Sequence, residues 1–186
     1  MNDSNIATFT CMDDGTAEDW RRFYAVKQVG REQLPGRLLS MLGQLEDKPD
    51  GSPINGYAHS LQTATLAYRD DADDETVFMA LFHDIGQLLS EENHAAVSAA
   101  VLKPYLCEKN HWVVKHHAVF QMYHYGAAAG LDHNARELYR GEPHFQACAD
   151  FCEKYDQRAF DRNFNNKPLE FFAPLVERMV NIHPAD

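Results

Sequence analysis

The chain has 186 residues, 45% of them hydrophobic, and a formal net charge of −11. That length suits one domain with a full apolar core, and the composition excludes disorder as the default state. The acidic balance excludes a nucleic-acid backbone as partner, which needs a basic stripe. It leaves anionic substrates open, because a bound metal ion carries its own positive charge.

Taken in order, the pattern predicts helices almost throughout. Trp20, Phe23, Tyr24 and Val26 to Val29 mark a first amphipathic helix starting near Thr16 or Glu18. Gln33 to Glu46 gives a second, with Pro35 near its start and Leu38, Leu39, Met41, Leu42 and Leu45 on its apolar face. Residues 48–53 read Lys-Pro-Asp-Gly-Ser-Pro, a loop. A third helix is expected over 55–68, then an acidic turn over 70–74 and a fourth helix ending at His83–Asp84. Further helices are expected over 91–102, 108–125, 132–139, 144–160 and 169–181, with a break between Gly126 and Gly130. No segment alternates with period two, so the expected class is all-α, a helical bundle around a central pocket. We expect one domain over 1–186. Residues 1–48 would supply N-terminal helices and a cover for the site, 53–164 the metal-binding core and 165–186 a C-terminal helix.

No apolar stretch approaches the length of a membrane span. Met1 to Thr10 has neither the basic start nor the apolar run of a secretory signal, so a cytoplasmic location is expected. Cys11, Cys107, Cys148 and Cys152 form no CxxC pair, and the last two, four residues apart, share a helix face as reduced thiols.

The chemistry is concentrated in His83–Asp84, where an apolar helix meets Gly86. Two buried polar groups there are costly without a binding partner, and a metal ion is the natural one. His59 lies upstream in a similar helix; His94, His116, His117 and Asp161 lie downstream. One ion would use four of these positions, and two would use six. Imidazoles and carboxylates without cysteine suit divalent iron, manganese, cobalt or zinc rather than a structural zinc. Arg158, three residues before Asp161, would share its helix face and suit a phosphonate or phosphate. Gln87, Gln121 and Asn134 are further candidate donors to a substrate. His124, seven residues after His117, is a candidate neighbour of the ligands, and His111, His133, His144 and His183 read as surface histidines.

His59, His83–Asp84 and Asp161 resemble the H…HD…D signature of the HD-domain superfamily over about Pro53 to Phe164. The His59-Ser60-Leu61-Gln62-Thr63-Ala64 string, with His94 and His117, is similar to a subset of that superfamily. That subset comprises the mixed-valent di-iron oxygenases, the phosphonate-cleaving PhnZ and TmpB types and, more distantly, myo-inositol oxygenase. The resemblance implies one iron on His59, His83, Asp84 and Asp161 and a second on His94, His117 and Asp84, with Asp84 bridging an Fe(II)/Fe(III) pair. His116 is the competitor of His117, and only one of them should face inward.

Asp84, His94 and His117 would carry the catalytic role, with Arg158 as the anion clamp. The tyrosine and glutamate that PhnZ-like enzymes place before the first histidine are missing from the loop over 49–53. A quaternary ammonium needs no hydrogen-bonding carboxylate there and suits Asp50 with aromatics such as Tyr24, Tyr123 or Tyr125. The resemblance therefore implies O2-dependent cleavage of the C–P bond of a 1-hydroxy-2-aminoethylphosphonate, with the N-trimethyl form foremost. The partners would be that small molecule and O2, with no nucleic acid and no membrane. The alternative is an HD phosphohydrolase acting on a nucleotide or phosphomonoester, which needs only the four-position set.

Overall fold

The computed structural model describes residues 6–47 and 51–182. Among them there are helices, turns and bends but no strand, so the all-α expectation holds. The chain divides into two compact units, Met1–Leu38 and Leu39–Asp186.

In the first unit, α1 (Ala17–Glu32) begins with a capping box: Thr16 Oγ1 accepts from the Asp19 amide, and the Asp19 carboxylate accepts from the Thr16 amide. On α1, Trp20 meets Phe9 in a tilted contact and Phe23 edge-on, with ring centroids 4.9 Å and 5.5 Å apart. α2 (Leu34–Gln44) follows and carries the chain into the second unit.

The second unit positions the site. α3 (Gly56–Arg69) starts at Asn55, whose side chain accepts from the Ala58 amide. Its buried hydroxyls bond back along the helix, Thr63 to the His59 carbonyl and Thr65 to the Leu61 carbonyl. α4 (Asp74–Phe82) is capped by Asp73 and buried from Val77 to Phe82. A helix apolar on all sides belongs in the core, and burying Phe78 and Phe82 contributes about 1.5–3 kcal/mol each.

α4 stops at Phe82, and His83 and Asp84 form the turn into a short 3-10 helix over Ile85–Leu88. There a Cβ on Gly86 would stand 2.2 Å from the His94 carbonyl oxygen. That close approach, with the Gly86 amide donating to Ser98 Oγ at 2.9 Å, seats α5 (His94–Leu102) against the HD turn.

α6 (Glu108–Ala129) runs past the break expected at Gly126 and ends at Gly130, whose φ of 74° is the left-handed cap. Gly126 stays helical because its missing side chain admits His133, which a Cβ would meet at 3.2 Å. The segment expected as a helix over 132–139 is a 3-10 helix over Ala135–Tyr139. α7 (Phe145–Lys154) ends six residues earlier than expected, passing into a 3-10 turn over Asp156–Arg158. α8 (Leu169–Ile182) packs on α4, α3 packs on α4, and α6 lies between α5 and α7.

Candidate metal centre

Four imidazoles converge on two buried carboxylates at the meeting point of α3, the end of α4, α5, α6 and the turn after α7. Each imidazole is held the same way from behind. His59 Nδ1 faces the Ala159 carbonyl at 2.9 Å, His83 Nδ1 that of Ala80 at 2.9 Å, His94 Nδ1 that of Glu91 at 2.8 Å, and His117 Nδ1 that of Val114 at 2.7 Å. A carbonyl only accepts, so each Nδ1 carries the hydrogen and, in the neutral ring, each Nε2 presents its lone pair inward. That is the arrangement by which proteins aim metal-ligating histidines.

The inward nitrogens fall into two groups about Asp84. Its Oδ2 lies 3.6 Å from His59 Nε2 and 3.5 Å from His83 Nε2; its Oδ1 lies 3.3 Å from His94 Nε2 and 3.0 Å from His117 Nε2. Asp156 closes the first group, with Oδ1 3.2 Å from His59 Nε2 and 3.6 Å from His83 Nε2. Two triads, His59–His83–Asp156 and His83–Asp84–His117, are each tight enough to share a metal ion.

The donor set fits cations. His59 Nε2 and His83 Nε2 face one another at 3.2 Å, and with the hydrogens on Nδ1 neither has one to share. A cation between them and the two carboxylates resolves that conflict. The electrostatics agree. Burial pulls the His59 imidazole down, but in the protonated ring Nε2 gains a hydrogen that Asp156 accepts, and that bond with the Asp156 and Asp84 charges outweighs burial and raises it to about 8. Burial likewise opposes the Asp156 carboxylate, yet the hydrogen bonds and charges of His59 and His83 hold it well below the usual range. The cluster keeps negative oxygens in a buried place by surrounding them with positive character, which is what a divalent ion supplies.

A cavity of about 200 Å³ opens onto these ligands. His59, Asp84, His94, His117 and Asp156 line it, with Gln87, Glu91, Gln121, Tyr125 and Phe160, and among the described residues no lysine or arginine does. Gln87 Nε2 donates to Asp84 Oδ2 at 3.0 Å, and Gln121 Nε2 donates to Asp156 Oδ1 at 2.9 Å.

Most of the expected ligands are brought together here: His59, His83, Asp84, His94 and His117. Of the competing pair, His117 is buried beside Asp84, whereas His116 stacks on Trp112 at 4.1 Å and bonds through Nδ1 to the Trp112 carbonyl. Gln87 and Gln121 also reach the cavity.

Asp161 does not, and the place expected for it is taken by Asp156. Asp161 is exposed; its Oδ1 accepts from the Asn163 amide at 2.8 Å, and its backbone is pinned to α3 by both ends of the Gln62 amide. Arg158 is a second correction. It is exposed and lines a separate cleft with Arg69, Asp70 and Lys154, so its guanidinium does not line the metal cavity. The Asp161 expectation rests on the H…HD…D resemblance, and the Arg158 expectation on a helix face shared with Asp161. The helix ends at Lys154, because the turn after it must deliver the Asp156 carboxylate and the Ala159 carbonyl to His59.

Asn134 is exposed in the turn at Asp132, away from the cavity. His124 lies 3.8 Å from Glu153 across α6 and α7 and does not line the cavity. Asp50 lies outside the described residues, as does His183. Tyr125 lines the cavity, but Tyr123 is covered by the Arg136 guanidinium, 3.3 Å from its ring centroid. Sequence reasoning missed Asp156, Gln62 and Glu91. Asp156 had a legible signal: it continues the stripe Cys148–Cys152–Asp156 at helical spacing on a buried face.

The family model of the HD domain matches residues 56–157, more than half of the chain, and the chain belongs to that family. The matched span holds all six convergent ligands, Asp156 included, and stops short of Asp161. No curated protein matches the chain. A metal-dependent enzyme of the HD type is the class that this fold and this cluster support.

Proposed function

We propose that this HD-family chain is a non-haem di-iron oxygenase. In this reading it uses O2 to cleave the C–P bond of a 1-hydroxy-2-aminoethylphosphonate, with (R)-1-hydroxy-2-(trimethylammonio)ethylphosphonate as the leading substrate. The products are glycine betaine (glycine from the primary amine) and phosphate. One O2 balances the reaction: its two oxygen atoms complete the carboxylate and the phosphate, and one proton is released.

The observation that carries this reading is the division of Asp84, whose two oxygens face two different imidazole pairs. A carboxylate shared in that way suits two ions rather than one. His59, His83, Asp156 and Asp84 Oδ2 would hold the first, and His94, His117 and Asp84 Oδ1 the second. When bound, an Fe(II)/Fe(III) pair supplies the O2 activation and electron transfer that no side chain here can.

The chain's own residues bind and orient. Among the described residues the cavity wall has no lysine or arginine, so this reading assigns the phosphonate charge to the metal ions, while Glu91, Tyr125 and Phe160 suit a trimethylammonium group. The test is anaerobic purification and metal analysis, followed by O2 uptake with the hydroxyphosphonate. About two irons per chain and one O2 consumed per phosphate released are expected. Phosphate release without O2 would overturn the reading.

A second reading, an HD phosphohydrolase acting on a nucleotide or phosphomonoester, is favoured by one observation: His59, His83 and Asp156 alone form a buried triad sufficient for one ion. Its signature is anaerobic phosphatase activity with manganese or cobalt.

A further inference from the structure

Gln121 carries more information than its neighbours in the wall. It sits one helical turn after His117 on α6, so both side chains face the cavity. Its Nε2 donates to Asp156 Oδ1 at 2.9 Å, the same oxygen that faces His59 and His83. An ionised carboxylate only accepts, so Asp156 fixes which way the amide points. The opposite end of the amide is therefore an acceptor by necessity. That oxygen, Gln121 Oε1, is buried and has no hydrogen-bond partner in the protein. A buried acceptor left alone is costly, and such exceptions call for a partner from outside the chain.

We propose that Gln121 is a positioning residue for Asp156 and, through the other end of the same amide, the acceptor that selects a substrate carrying a hydroxyl. The second half rests on the oxygenase reading above; the first half does not. A phosphate oxygen set against Oε1 would meet acceptor with acceptor. A hydroxyl brings the missing hydrogen. The cavity thus divides its labour: the metal positions take the anion, and the Gln121 oxygen reads the neutral donor beside it. The corresponding glutamine on the other carboxylate, Gln87, donates to Asp84 Oδ2 and stands close to Gly56, so the two amides are not equivalent.

The experiment compares metal-loaded wild type with Gln121→Met, close in size but without donor or acceptor, and with Gln121→Glu, which keeps an acceptor oxygen. Melting temperatures first establish that the variants are folded. Metal release to EDTA then reads the positioning role: Gln121→Met is expected to lose about 10-fold or more in metal affinity. Retention equal to wild type overturns that role.

Anaerobic binding of 1-hydroxy-2-(trimethylammonio)ethylphosphonate against its 1-deoxy counterpart reads the acceptor role. Wild type is expected to prefer the hydroxy compound, Gln121→Met to reduce that preference by about 5-fold, and Gln121→Glu to keep it. An undiminished preference in Gln121→Met overturns the acceptor role, as does its loss in Gln121→Glu. If neither phosphonate binds wild type, the oxygenase reading fails, while EDTA release still decides whether Gln121 positions Asp156.

Discussion

The two flanks of the segment 155–159 face opposite worlds. On one flank, the Asp156 carboxylate and the Ala159 carbonyl both meet the buried His59 imidazole, at 3.2 Å and 2.9 Å. On the other, Tyr155 and Arg158 line an open cleft with Arg69 and Lys154, where Asp70 accepts from the Tyr155 hydroxyl at 2.7 Å and from Lys154 at 3.3 Å. Within five residues the chain thus turns from a buried cluster of imidazoles and carboxylates to an open cleft of mixed charge. The direction of a side chain, rather than its distance along the sequence, decides which chemistry it joins. Arg158, two residues from Asp156, lies on the side of the chain away from the cavity.

The sharpest way to break this comparison is on the buried flank. His94→Ala removes a ligand from the Asp84 Oδ1 side, and O2-dependent turnover is expected to vanish; full activity would exclude His94 from the centre. Next comes an exchange of carboxylates. Asp156→Ala is expected to weaken metal binding by about 10–100-fold, and Asp161→Ala to leave the metal content of the protein unchanged. The reverse result would restore the residue that the H…HD…D resemblance implies.

Gly86→Ala tests the backbone contact that seats α5. The added carbon meets the His94 carbonyl, and a loss of about 1–3 kcal/mol in denaturant unfolding is expected, together with weaker metal retention. Arg158→Ala should change KM by no more than about 3-fold, as for an ordinary surface position, and a large rise would return the guanidinium to the substrate.

The smallest effect is a control in the N-terminal unit. The Thr16 hydroxyl, with the amides of Thr8 and Thr16, holds Asp19 at about 2, below its ordinary 3.8. A carboxylate depressed in the folded state contributes stability that is full above pH about 4 and fades as pH falls towards 2. Amide exchange in α1 should therefore quicken over that window in wild type and show no such step in Asp19→Asn.

Much of the fold could be read from the sequence, because its signals are local. The Asn55 and Asp73 caps, the apolar run ending at Phe82 and the glycine at 86 each act within a few residues, and they placed α3, α4 and the HD turn. Three of the six convergent side chains, His59, His83 and Asp84, lie on those elements, and His94 and His117 lie on α5 and α6, which the pattern also marks as helices. The sixth lies where tertiary demands override helical periodicity. The sequence from 154 to 160 has no proline or glycine to stop a helix, and what stops it is the pull of His59, His83 and Gln121 on Asp156. Gly126 is the converse case. A residue that commonly interrupts a helix stays helical here because its absent side chain makes room for His133.

Three of the four rear hydrogen bonds reach back only three residues, from His83 to Ala80, His94 to Glu91 and His117 to Val114. Those rings take up their tautomer as soon as their own stretch of chain has its shape. The fourth ring depends on a carbonyl a hundred residues away. His59 is therefore aimed only once the chain has closed on itself, so the grouping of His59, His83 and Asp156 is complete only when the topology is.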